Sequence, residues 1–335
     1  MIDFRYHIVS LISVFLALAV GIALGAGPLK ETIGDTLTGQ VSSLRAEKEA
    51  LRAELDDSAA SLSHSEAFID GTAGQLLSGT LTDRRVAVVL LGEVSSEVRD
   101  AVDGRLQQAG ASVSAHVQLT EAWTDPDQRT FRQALAGNLV SYLDPAPATG
   151  ASVDEELAAA LTQALAGADP AAPDKQSDSA SILLELLSTG DSPLLTVTDT
   201  VTAPADAIVV IAPSTTDATD TTATAPADDV QTARLAVVEA ADSGTEGAVL
   251  LAGARGSDSL VDVLLNDATL SAQVSTVSGM DAVAAQVDVP LALAAQIGGQ
   301  IGHYGFGDSE TVVPPAVTLP PVDRTATTPA AGSGG

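Results

Sequence analysis

Hydrophobic and polar positions divide the chain into three textures. The first is an unbroken apolar run from Ile8 to Leu29, IVSLISVFLALAVGIALGAGPL, which contains no charged residue. A helix needs roughly 20 apolar residues to cross a bilayer, so the run predicts a transmembrane helix over 8–29 behind a short tail at 1–7. A cleaved secretory signal would carry a shorter apolar core, about 7 to 15 residues, ahead of a small-residue site. Ala23, Gly25 and Gly27 supply the small residues, yet the length of the run and the helix-forming sequence after it favour an uncleaved signal anchor. Arg5 precedes the span, whereas Lys30 beyond it is accompanied by Glu31 and Asp35, which places the tail in the cytoplasm and the bulk outside it. Ala17, Gly21 and Gly25 share one helical face, the arrangement of helices that pack backbone to backbone in lipid, and equally that of ordinary membrane glycines.

The second texture is a heptad that begins near Thr36 and predicts a coiled coil over 30–70. Leu37, Leu44 and Leu51 fall on d, and Val41, Leu55, Leu62 and Ile69 on a; Lys48 at a, and Ser58 and Ser65 at d, interrupt the seam. Arg45, Glu47, Glu49, Arg52 and Glu54 flank it and supply solvated faces and i,i+4 pairs. Such a seam serves self-association, as a homodimer, or docking of a partner membrane protein; the alternative is a lone amphipathic helix lying on a globular domain.

The third texture, over 71–307, alternates short apolar runs with helical stretches and predicts an α/β domain outside the cytoplasm. Arg85 to Leu91 reads as a buried strand, Ser95 or Ser96 caps a helix running to Ala109, and Gly110 stops it before a strand over Val113 to Leu119. Further strands are expected at Ala207 to Ala212, Ala248 to Ala252 and Ala272 to Val277. Helices are expected at Gln128 to Leu143, Asp154 to Ala166, Ser181 to Leu187, Asp229 to Ala241 and Leu260 to Leu265. This alternation predicts a Rossmann-like, mostly parallel sheet with helices on both faces, and a fragment from about Thr82 to Gly307 that folds alone. Ser214 to Asp228, rich in Thr, Ala and Asp, reads as a flexible surface loop, and the Pro/Thr/Gly-rich stretch 308–335 as a disordered tail.

Composition narrows the function. A formal charge of -29, spread along the chain, argues against nucleic acid as a partner. The absence of cysteine removes disulfides, zinc–thiolate sites and thiol catalysis. No catalytic motif is present, so an enzyme is not expected. The turn after the first strand, Gly92-Glu93-Val94-Ser95, has one glycine and an acid where a dinucleotide phosphate would sit, and no cofactor is expected. Gly253-Ala254-Arg255-Gly256-Ser257, between a strand and a helix, is a better candidate anion-binding turn through Gly253, Arg255, Gly256 and Ser257; the alternative is a glycine turn that serves only the backbone.

Metal ligands are sparse. The histidines are His7, His64, His116 and His303, none spaced as a local pair, and the methionines are Met1 and Met280, so soft ligands for cuprous ion are nearly absent. A transmembrane barrel would need many alternating strands with aromatic girdles, and aromatics are only 3% of the chain.

The opening MIDFRYHIVSLISVFLALAVGIALGAGPL, the coiled coil after it, the strand near Arg85 to Leu91 and the late Gly302-His303-Tyr304-Gly305 before a Pro-rich tail resemble the actinobacterial copper transporter family of MctB type, also called SteB. The resemblance implies a cell-envelope protein, reaching the outer envelope, assigned to copper efflux or tolerance as a pore. Alternatively it implies an adaptor that, with a membrane partner, regulates a cell-wall hydrolase in cell division. Copper enters as a partner by this resemblance alone, and the resemblance supplies no metal-ligand motif.

Overall fold

The computed structural model describes residues 4–26, 28–213, 227–256 and 259–324; the side chains of 26–36 and 227–228 are outside that description. The chain divides into two compact units, Met1–Ala67 and Phe68–Gly335.

The first unit is helical. Helix α1, Phe4–Ala26, contains a stretch, Phe4–Gly25, long and apolar enough to cross a membrane, and it starts four residues before the charge-free run because Phe4 to His7 also adopt helix. Helix α2, Pro28–Leu77, starts here and ends in the second unit.

The second unit is built on a seven-stranded sheet. Its strands are β1 (Arg85–Leu90), β2 (Ser112–Leu119), β5 (Leu195–Asp199), β6 (Ala207–Ile211), β7 (Ala248–Ala252), β8 (Ser275–Ser278) and β9 (His303–Tyr304), in the order β5-β2-β1-β6-β7-β8-β9. All neighbours pair in parallel except β5, which runs antiparallel to β2 at one edge. A small antiparallel ribbon, β3 (Ala168–Asp169) and β4 (Ala172–Gln176), stands apart.

Alternation along the strands feeds two cores, because successive side chains of a strand point to opposite faces. Ala87, Val89, Ile208, Val210, Ala248 and Leu250 enter one core. It is closed by α4 (Arg129–Leu139), α5 (Val153–Ala166), α6 (Asp178–Ser188), α7 (Ala227–Ser243) and α8 (Leu260–Asn266). Val86, Val88, Val209, Ile211, Val249 and Leu251 enter the other, closed by α3 (Ser96–Gln108), α9 (Val283–Ile297) and the end of α2. The doubly wound sheet with helices on both faces is the architecture that the sequence pattern predicts.

Local signals act as expected where they are strong. Ser95 caps α3 by accepting from Val98 N–H at 3.3 Å, and Gly110 ends that stretch with φ +90°, where an added Cβ would press on the Thr82 backbone. Helix α5 carries a full capping box, with Ser152 Oγ accepting from Glu155 N–H and Glu155 accepting from Ser152 N–H.

Several features go beyond the sequence pattern. Helix α9 is not among the predicted helices: it is apolar on every side, with residues 285–296 all buried, and holds Pro290, so neither a polar face nor a clean boundary marks it. The strand near Ala272 to Val277 begins later, at Ser275, because Leu270–Ala272 forms a 3₁₀ turn. The segment 308–324, part of the expected disordered tail, lies along the domain. Val317 approaches Gly298, Leu319 packs on the second core, Pro320 C=O accepts from Arg84 at 3.2 Å, and Arg324 pairs with Asp206. The remainder of that tail and most of the loop over Ser214 to Asp228 lie outside the described residues.

Candidate functional site

Helix α2 contains two different faces in sequence. Near its end, Ala73 and Leu77 are buried and Ile69 packs beside them in the second core, while Asp70 pairs with Arg105 of α3 at 2.5 Å. Earlier, Leu37, Val41, Leu44, Leu51, Leu55 and Leu62 are all exposed, from 44% at Val41 to 69% at Leu55. Leaving each such side chain in water forgoes roughly 1.5–3 kcal/mol of burial, so covering this row of apolar side chains would be favourable. Only Ile69, of the predicted seam residues, is covered by the domain.

The i,i+4 ion pairs expected along this stretch are not formed. Among the described residues, Arg45, Glu47, Lys48, Glu49, Arg52 and Glu54 make no ion pair within the chain; side-chain hydrogen bonds there include serine hydroxyls on backbone carbonyls, such as Ser42 on Gly39. Solvation competes closely with an exposed helical pair worth only ~0.2–0.5 kcal/mol. In α1, an added Cβ at Gly21 or Gly25 would meet nothing within 4 Å, and Ala17 is exposed with them, so that small-residue face is open.

The candidate anion-binding turn after β7 is filled by the chain's own carboxylates. Arg255 Nε donates to Asp262 Oδ1 at 2.7 Å, its Nη1 lies 3.4 Å from Glu310, and Gly256 N–H donates to Asp262 Oδ2 at 2.7 Å. These bonds hold Asp262 below the usual carboxylate range, chiefly through the Arg255 hydrogen bond. The guanidinium and amide that would take an external anion are engaged, so the turn reads as a structural clamp; Ser257 lies outside the described residues. Glu310 also accepts from Ser278 Oγ at 2.8 Å and Gly307 N–H at 2.7 Å. Gly305 leaves room for this knot, since its Cβ would come within 2.5 Å of Glu310.

The strand order reverses between β1 and β6, and in doubly wound sheets ligands gather in the crevice beyond the carboxyl ends at such a point. Here Pro213 packs on Gly92, with its Cγ 3.2 Å from where a Gly92 Cβ would stand. Arg234 of α7 borders the same place, its Nε buried without a hydrogen-bond partner among the described residues and burial lowering its pKa. A polar cleft of about 310 Å³ between α4, α5 and α7 is lined by Arg129, Arg132, Asp154 and Asp229. Its charges are turned on one another and on backbone: Arg129 lies 3.6 Å from Asp229, and Arg132 donates to the carbonyls of Ala122 and Asp125.

The domain's two histidines are committed to hydrogen bonds. His116 of β2 places Nε2 2.9 Å from Asp103 of α3 and Nδ1 2.9 Å from Asp199 of β5. The Asp103 hydrogen bond, opposed by burial and aided by both carboxylate charges, raises its pKa and favours the imidazolium, which can donate to both. His303 sits with Nε2 3.1 Å from the Ser271 carbonyl and Nδ1 3.0 Å from Thr276 Oγ1. Burial lowers its pKa, which leaves a neutral ring donating through Nε2 and accepting at Nδ1. His7 and His64 are exposed on the two long helices. Among the described residues, no group of three His, Cys, Asp or Glu side chains is arranged to hold a metal ion. Sequence spacing conceals the Asp103–His116–Asp199 cluster, because its members come from a helix and two strands that only the fold brings together.

Comparison with known proteins places the chain. A family model described as "Copper transport outer membrane protein, MctB" matches residues 1–315. The chain is 30% identical over 318 residues to the copper transporter MctB of Mycobacterium tuberculosis and to that of Mycobacterium bovis, covering 92% of this chain and 97% of each relative. It is 29% identical over 347 residues to the copper transporter MctB of Mycobacterium leprae, covering 96% of this chain and all of the relative. With the anchor-like helix, the long α2 and all seven strands of the sheet inside the matched span, this chain belongs to the MctB copper transport family.

Proposed function

We propose that the chain serves its family's role in copper handling as a membrane-tethered adaptor that works through α2, by binding rather than by catalysis. In this reading α1 stays in the bilayer, residues 1–7 face the cytoplasm, and the α/β domain lies outside. The observation that carries it is the exposed apolar stripe from Leu37 to Leu62, a surface that gains stability only when another helix covers it. A role as the conduit itself fits less well. The sheet is open-ended with helices on both faces, and the ring nitrogens of His116 and His303 are already engaged. Copper is then cargo of an assembly in which this chain positions other components, and the adaptor class extends to joint control of a cell-wall hydrolase with a membrane partner.

Crosslinking and pull-down of the full chain from membranes tests this, comparing the native seam with one whose 37–62 sequence is scrambled but helix-forming. Capture that depends on the native seam supports the adaptor; an identical set of captured membrane proteins from both forms overturns it.

A further inference from the structure

The charges beside the seam identify its occupant. With Leu44 and Leu51 on d, the e positions of these two central heptads carry Arg45 and Arg52 and their g positions carry Glu47 and Glu54, so within this stretch each sign keeps to one side. In a parallel, in-register pair, each g residue faces the e residue of the following heptad on the other strand, so Glu47 meets Arg52 of the second copy, twice per pair. In an antiparallel pair, e faces e and g faces g, which sets arginine against arginine and glutamate against glutamate. These side chains have no ion pair within their own chain among the described residues, so nothing intramolecular competes for them. Lys48 at a would face its own counterpart, a polar a position of the kind that fixes register at some cost in stability.

We infer that α2 pairs with α2 of a second copy of this chain, parallel and in register, with Glu47 and Arg52 as the interchain pair that sets orientation. This rests on the adaptor reading and names its first partner. Parallel pairing also keeps both copies of α1 at the same end, as two spans in one bilayer require. An unrelated partner helix would need the complementary charge order; a second copy has it already.

The absence of cysteine gives a clean test in the full-length chain in native membranes. Leu37→Cys and Leu51→Cys each place a thiol on d, about 21 Å apart along the helix, and Ala53→Cys places one on the opposite face. Mild oxidation is expected to join both d variants into disulfide dimers, with Ala53→Cys largely uncrosslinked. An antiparallel pair would join at most the one position near its two-fold axis. In the Leu51→Cys background, Glu47→Arg or Arg52→Glu is expected to slow crosslinking about tenfold, from lost attraction and added repulsion at two sites. The double variant Glu47→Arg/Arg52→Glu is expected to restore it.

Failure of both d variants to crosslink overturns self-pairing. Crosslinking that the double exchange does not restore overturns the Glu47–Arg52 register. Crosslinking as expected together with unchanged capture by the scrambled seam would leave the homodimer standing and remove the adaptor reading, so the two fail separately.

Discussion

His116 and Asp103 are joined at 2.9 Å across the gap between β2 and α3, and the far nitrogen of the same ring reaches Asp199 on the antiparallel edge strand. One imidazolium therefore ties the last strand of the sheet to the helix beside it. A histidine whose folded pKa lies above its unfolded value contributes stability that is fully present below about pH 6.5 and is lost as pH rises through the folded pKa. His116→Gln is expected to cost about 1–3 kcal/mol near pH 6 and distinctly less near pH 9. Urea midpoints of the soluble unit at both pH values measure it, and an equal cost at both would contradict the clamp.

Asp288 couples to pH in the same direction, but its substitution is expected to stabilise rather than destabilise. It is buried on α9 with no ion-pair partner among the described residues, and burial pushes its carboxyl up to about 7. The unfolded chain loses this proton near pH 4 and the folded chain only near 7, so stability falls as pH rises through that window and stays lower above it. Asp288→Asn is expected to stabilise the domain by on the order of 1–3 kcal/mol near pH 8 and by little near pH 4. Thermal melts at the two pH values decide it; destabilisation near pH 8 would show that the ionised group is wanted.

The folding unit is wider than its α/β pattern. Leu77 and Leu81 are fully buried, Leu319 packs on the same core, and Arg324 reaches Asp206, so a fragment over 68–324 keeps contacts that one over 82–307 lacks. Losing Leu77 alone, as Leu77→Ala, is expected to cost about 2–5 kcal/mol. The longer fragment is expected to give a single cooperative urea transition at clearly higher denaturant than the shorter one; equal midpoints would show that the flanking segments add nothing.

The soluble fragment over 68–324 is expected to show no stoichiometric cuprous binding against a weak competing chelator. It has no cysteine, one methionine buried in the core at Met280, and two histidines with both nitrogens engaged. A competition titration that finds one tightly held copper per chain would return the metal site to this domain.

The parts of the fold legible in the sequence are those where period, cap and turn agree. Ser95, Gly110 and the continuous apolar run Val86 to Leu90 mark β1 and α3 at nearly their observed limits. Helix α9 escaped because burial on all sides erases amphipathic period, and β5 and the β3–β4 ribbon because their exposed Asp, Thr, Pro and Lys positions lack an apolar run. The glycine turn at Gly253 to Gly256 shows the limit for sites: its local sequence offers donors, and the acceptors that fill them come from Asp262 and from Glu310, distant in the chain. Helix α2 and its apolar stripe were legible because they depend on one helix alone.

The adaptor account stands most directly on that seam. Leu44 and Leu51 occupy d and Leu55 an a position near its centre, and all three are exposed in the single chain, so aspartate at all three spares the α/β core while placing carboxylates in any pairing surface. The measurement is complementation of a deletion strain by the Leu44→Asp/Leu51→Asp/Leu55→Asp variant, scored for copper tolerance and for septation, with membrane attachment and proteolytic resistance of the domain checked alongside. The account predicts loss of function from a folded, membrane-attached protein; full rescue of both traits would contradict it.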